Sequence, residues 1–117
     1  MKFTIQGELC NYNKYDNAAR SHWSKGAKIK KEETQRVYYE ILSQKVKPMK
    51  KITEMICTWY TKDLKVDSDG ISFAIKFLYD GMVLAKVIPN DSRRYTGSIY
   101  HLFEIDKKNP RCEVELI

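Results

Sequence analysis

Apolar and polar positions alternate at the start of the chain, where Phe3 and Ile5 stand apart from Lys2, Thr4 and Gln6. That period of two predicts a short strand over residues 1–6, closed by Gly7. Residues 11–23 are polar and aromatic, with Ala18 and Ala19 favouring helix late in the segment. Ser24 is a candidate cap for a helix over about residues 25–44. Its spacing turns Ala27, Val37, Ile41 and Leu42 to the core and Lys28, Lys30, Lys31 and Arg36 mostly outward. After a Lys-rich connection through Pro48, residues 52–61 read as a strand. Met55, Cys57 and Trp59 fall on one of its faces, and Ile52, Ile56, Thr58 and Tyr60 on the other. A polar loop over 63–70 leads into residues 71–87, helical by length and composition. Pro89-Asn90-Asp91-Ser92 is a turn cluster. Two further strands, 98–105 and 112–117, are joined across Asn109-Pro110 and are expected to form a hairpin. The order predicts an α+β single domain, a mixed β-sheet packed with helices.

Composition narrows the class. A chain of 117 residues suits one domain and is long enough to bury a core. Its 43% hydrophobic and 31% charged residues exclude a disordered tail or a fibrous protein, and five Gly with three Pro exclude a collagen. No uncharged run approaches the roughly 18 residues of a membrane span. The opening MKFTIQGELC has no sustained apolar stretch and does not read as a signal peptide. The expectation is a soluble cytoplasmic protein without a membrane partner. Cys10, Cys57 and Cys112 fit no zinc spacing, and His22 and His101 stand alone, so reduced, packing thiols are expected.

Charge is unevenly spread. Residues 1–51 carry 12 Lys/Arg and 5 Asp/Glu, whereas residues 52–117 carry 9 and 10. A basic half suits a polyanion such as nucleic acid. A solvated helix face accounts for it equally well.

The segment 69–87 is almost wholly apolar apart from Asp69, Ser72, Lys76 and Asp80, which share one narrow stripe at helical spacing. That stripe is either the helix's wet edge or one wall of a cleft, and Lys76 and Asp80 have the spacing of an ordinary i,i+4 pair. Asp67-Ser68-Asp69-Gly70 stands at the helix entrance. Two carboxylates one residue apart suit a hard cation such as Mg²⁺, and equally a helix cap plus a solvated residue. Asp91, in the turn beyond, would complete a three-carboxylate cluster if the chain returns towards the helix start.

The run 67–81, followed by Ile88-Pro89-Asn90-Asp91, resembles the signature of RusA-like Holliday junction resolvases: a D-x-D-N at a helix start, a helical lysine, an aspartate one turn on, and an N/D-D after the helix. Asn13-Lys14-Tyr15, Asn17-Ala18, the segment 27–32 and the closing 106–111 resemble the phage and prophage branch of that family. The resemblance implies a homodimeric, Mg²⁺-dependent endonuclease that nicks four-way DNA junctions symmetrically. It implies metal-binding roles for Asp67, Asp69 and Asp91, with Asp80 a further candidate. Lys76 matches the catalytic lysine to within one turn. Lys14, Arg20, Lys25, Lys28, Lys30 and Lys31 are the expected DNA-phosphate contacts, and Tyr12, Tyr15 and Trp23 are candidates for stacking on splayed bases. The family's Asn after the second Asp is Gly70 here. Two alternatives remain beside this reading: a junction- or single-strand-binding protein with weakened catalysis, and a nuclease for other branched DNA.

Overall fold

The computed structural model covers all 117 residues. Alternation at the amino terminus produces β1 (Lys2–Gln6), whose Phe3 and Ile5 are buried while its other side chains are not. Asn11 caps α1 (Tyr12–Ser21), its side-chain oxygen accepting from the Lys14 N–H at 2.9 Å. The second helix, α2 (Trp23–Ser43), begins earlier than residue 25. His22, not Ser24, caps it, with Nδ1 accepting from the Ser24 N–H at 3.2 Å. Its buried face is Gly26, Glu33, Val37 and Ile41. Ala27 and Leu42 are exposed, contrary to expectation, because the earlier start and the packing of α1 fix the helix's rotation. Gly26 and Ala19 make that packing close: a Cβ on Gly26 would lie 2.9 Å from the Ala19 Cβ.

Strand β2 (Glu54–Thr61) buries Met55, Cys57 and Trp59 on one face, as its alternation predicts. Ile52, just before the strand, is also buried. The expected single helix over 71–87 is two, α3 (Ser68–Ser72) and α4 (Ile75–Leu84). Between them the hydrogen bonds tighten to i→i−3, from Ala74 N–H to Ile71, Lys76 N–H to Phe73 and Phe77 N–H to Ala74, at 3.0–3.2 Å. The cause is tertiary: the Phe73 ring is held by Tyr12, Tyr15 and Phe77, with centroids 5.2, 5.3 and 5.8 Å away. Lys86 ends α4 in the left-handed region at φ 60°, and the Val87 N–H then reaches the Met82 carbonyl. A short α5 (Arg93–Thr96) leads to β3 (Ser98–Ile105) and β4 (Arg111–Leu116).

The sheet order is β1-β4-β2-β3, with β2 and β3 parallel and the other pairs antiparallel. The expected β3–β4 hairpin is therefore absent. The turn itself forms: Asp106 Oδ1 accepts from the N–H groups of Lys108 and Asn109. Pairing fails because β4 carries Cys112, Val114 and Leu116, each 1% exposed, and takes the central position, while β3 stays at the edge. Residues 106–110 need to cross only two strand spacings, about 10 Å. The outcome is the mixed-sheet α+β domain, with one core between the helices and a single face of the sheet. No helix is long and apolar enough to cross a membrane.

Candidate functional site

The acidic helix entrance is built from the end of the 61–66 loop. Asp67 sits at the N-cap of α3 in extended conformation, yet its side chain makes no capping bond. Asp69, two residues on, accepts from the Gly70 N–H at 2.9 Å through Oδ1. Both carboxylates are exposed, as are Lys76 and Asp91. None of these four residues takes part in any of the chain's seven ion pairs. Asp91 lies near enough to the Tyr79 hydroxyl to help raise its pKa, although burial is the larger cause, followed by the neighbouring Cys57 thiol. No three His, Cys, Asp or Glu side chains gather at metal-binding spacing, so Asp67, Asp69 and Asp91 do not form a preassembled cluster.

Asp80 has a different setting from the other carboxylates. Its carboxylate turns towards α2, with Oδ2 3.8 Å from Lys30 Nζ, rather than towards Lys76. The tightened turn at 73–77 rotates α4 relative to α3, so a stripe drawn on one continuous helix does not survive. Among the expected phosphate contacts, Lys30 is engaged with Asp80, Lys28 with Glu32 at 3.9 Å and Arg20 with Asp16 at 3.0 Å. Lys14, Lys25 and Lys31 are exposed without an ion pair. Of the three candidate stacking rings, Tyr12 and Tyr15 pack on Phe73, while Trp23 is 80% exposed and stacks only on His22.

The Tyr12–Phe73 and Tyr15–Phe73 contacts bring α1, with its unpaired Lys14, against the junction of α3 and α4. Beside that junction opens a cleft of about 600 Å³, lined among others by Lys14, Lys62, Lys65, Val66 and Ile71. Val66 and Ile71 bracket Asp67 and Asp69 in sequence; the two aspartates themselves are not in its lining. The opposite wall is polar and internally hydrogen-bonded. Glu33, 9% exposed, accepts from the Cys10 N–H at 2.7 Å and from Arg36 at 2.9 Å. Arg36 also donates to the Gln6 carbonyl at 2.8 Å. Arg111 lies over the Tyr60 ring, 3.8 Å from its centroid, and pairs with Asp106 and Glu113. Hydrogen bonding to Arg111 holds the Asp106 carboxyl below its ordinary range. Sequence reading missed this cleft because segments far apart in the chain supply its walls, and none carries a local motif. All three cysteines are free thiols; Cys57 and Cys112 are buried, and the hydrogen bond to Cys57, then burial, pushes the Cys112 thiol up. Compared with known proteins, the chain matches no protein-family model and no curated protein.

Proposed function

We propose that this protein is a Mg²⁺-dependent endonuclease acting on branched DNA, with the four-way junction as its substrate. The observation that carries the reading is the aromatic contact of Tyr12 and Tyr15 with Phe73, which packs α1 and its exposed, unpaired Lys14 beside two exposed carboxylates that no cation of the chain neutralises. Asp67 and Asp69 offer hard oxygen donors, and Mg²⁺ is commonly held by one or two carboxylates with water and substrate phosphate completing its shell. The residues fit the ion in that limited sense; they do not fit a preassembled three-carboxylate cage. When bound, the ion supplies an activated water and relieves charge on the leaving oxygen. Lys76, exposed and unpaired, supplies a point charge for the phosphate. Lys14, Lys25 and Lys31 hold neighbouring phosphates and give salt-dependent affinity. Paired nicks on two strands require two such sites, as a twofold homodimer provides.

Junction, flap and duplex substrates, each with and without Mg²⁺, test the proposal. The expected result is Mg²⁺-dependent cutting with the junction preferred. Asp67→Asn and Asp69→Asn should lose cleavage and keep junction binding, since binding comes from Lys and Arg. Wild-type cutting rates in either variant would remove that residue from the site.

One observation favours a binding protein instead. Gly70 is buried, and a Cβ there would lie 3.1 Å from Val66 Cγ1. The Asn of the family pattern therefore requires the Val66 methyl to give by a few tenths of an ångström. Junction binding without cleavage at any Mg²⁺ concentration supports this second reading.

A further inference from the structure

The two edges of the sheet are finished differently. At the β1 edge, α2 takes up the outward backbone groups. The Gln44 side-chain amide accepts from the Thr4 N–H at 2.8 Å and donates to the Thr4 carbonyl at 2.7 Å. Glu40 accepts from the Gln6 N–H and Arg36 donates to the Gln6 carbonyl, at 3.0 and 2.8 Å. That edge is closed to a further strand. Nothing similar happens at β3. The Ser98 N–H bonds Thr53 and the Asp106 N–H bonds Thr61, so the even-numbered residues of β3 face β2. The N–H and C=O groups of Ile99, His101, Phe103 and Ile105 therefore point away from the sheet, and no side chain caps them.

This open edge is also apolar. Tyr100, Leu102, Phe103 and Ile105 are 50, 52, 39 and 52% exposed. The strand runs eight residues and contains no Lys, Pro or bulge, the usual devices that keep an edge from pairing. We infer that β3 pairs antiparallel with β3 of a second copy of this chain, joining two four-stranded sheets into one continuous sheet.

The register follows from the outward groups. In antiparallel pairing a residue with outward N–H and C=O must face another of the same kind, so odd-numbered residues face odd ones. Side chains then stay on the same face, and the twofold axis runs perpendicular to the sheet. Centring the pair on Leu102 covers every exposed apolar side chain of the strand: Leu102 meets Leu102 of the partner subunit, Ile99 meets the partner's Ile105, and His101 meets the partner's Phe103. Glu104, the strand's only charged residue, falls opposite the partner's Tyr100, whose hydroxyl is a donor; no like charges meet. A register centred on His101 would instead leave Ile105 opposite a glycine. The self-complementarity of the strand selects a second copy over an unrelated peptide. This inference names the interface of the twofold homodimer that the proposed function calls for; it is argued from the sheet edge, and its test reads mass and cross-linking, so its failure is distinct from a failure of cleavage.

Light scattering across a concentration series should give the mass of a dimer. Leu102→Lys sets two ammonium groups against each other at the axis and should give a monomer with unchanged far-ultraviolet circular dichroism. Phe103→Pro removes an outward N–H that β2 does not use, and should do the same. In a Cys10→Ser background, Leu102→Cys should cross-link two chains under mild oxidation, because a non-hydrogen-bonded antiparallel pair brings Cα atoms to about 4.5 Å, within disulfide reach. Tyr100→Cys should not. A wild-type monomer at all concentrations, a dimer that persists in Leu102→Lys, or cross-linking in the Tyr100→Cys variant but not in Leu102→Cys would each overturn the inference.

Discussion

Lys30 of α2 stands 3.8 Å from the Asp80 carboxylate of α4, and the Asp80 Oδ2 it faces is buried with no hydrogen-bond partner. The pair joins the two helices where they cross, and it draws Asp80 away from Lys76. Removing the ammonium leaves the buried oxygen uncompensated. Lys30→Met should therefore cost up to about 1 kcal/mol in urea unfolding. Asp80→Asn, which removes the buried charge while keeping the side chain's shape, should cost less. Equal losses in the two variants would show that packing, not the carboxylate, sets the stability there.

Lys76 has no such structural duty. It is exposed and unpaired, so Lys76→Ala should leave the melting curve within about 0.5 kcal/mol of wild type. Under the proposed function the same change removes a cation facing the phosphate, and single-turnover junction cleavage should fall by roughly 10²–10³. Lys76→Arg should recover part of that loss, because a planar guanidinium does not reproduce a compact point charge. Cleavage within about threefold of wild type in a folded Lys76→Ala protein would return the residue to the solvated surface.

The crossing of α2 and α4 depends on Gly81. A Cβ there would overlap Val37 Cγ1 and lie 2.6 Å from Val37 Cβ, with the Thr34 carbonyl 3.3 Å away. Gly81→Ala should destabilise by about 1–3 kcal/mol through overpacking. Val37→Ala opens the matching space, so the double variant should be more stable than the two single losses predict. Strict additivity in urea titrations would place the strain elsewhere.

The Trp59 indole N–H donates to His101 Nδ1 at 2.9 Å, which requires a neutral imidazole with its proton on Nε2. Burial lowers the His101 pKa from its ordinary 6.5. The folded chain thus binds fewer protons than the unfolded chain between the lowered pKa and 6.5. Stability from this contact is complete above the unfolded pKa and is lost as pH falls through 6.5 towards the folded value. Thermal melts should be flat above about pH 7 and decline below it, and His101→Gln should flatten the decline near pH 6. An unchanged profile in that variant would assign the pH dependence to other groups.

Much of the fold is legible in the sequence, because strand alternation and helix-length apolar runs are local properties of the chain. Phe3 and Ile5, and Met55, Cys57 and Trp59, are buried on the faces their spacing assigns. The four strands lie within two residues of their expected bounds. The acidic turns could likewise be picked out from residue type and spacing alone. What the sequence left open depends on contacts between distant segments. The break at Phe73 comes from two tyrosines of α1 and is invisible to a periodicity count over 71–87. The setting of Asp80 depends on a lysine fifty residues earlier. The pairing of β4 with β1 and β2, rather than with β3, follows from which strand buries its apolar face most completely. That is a property of the assembled sheet, not of the turn joining the two strands. For the same reason the two sheet edges, one capped by Gln44, Glu40 and Arg36 and one left bare, could be told apart only after α2 had packed against β1.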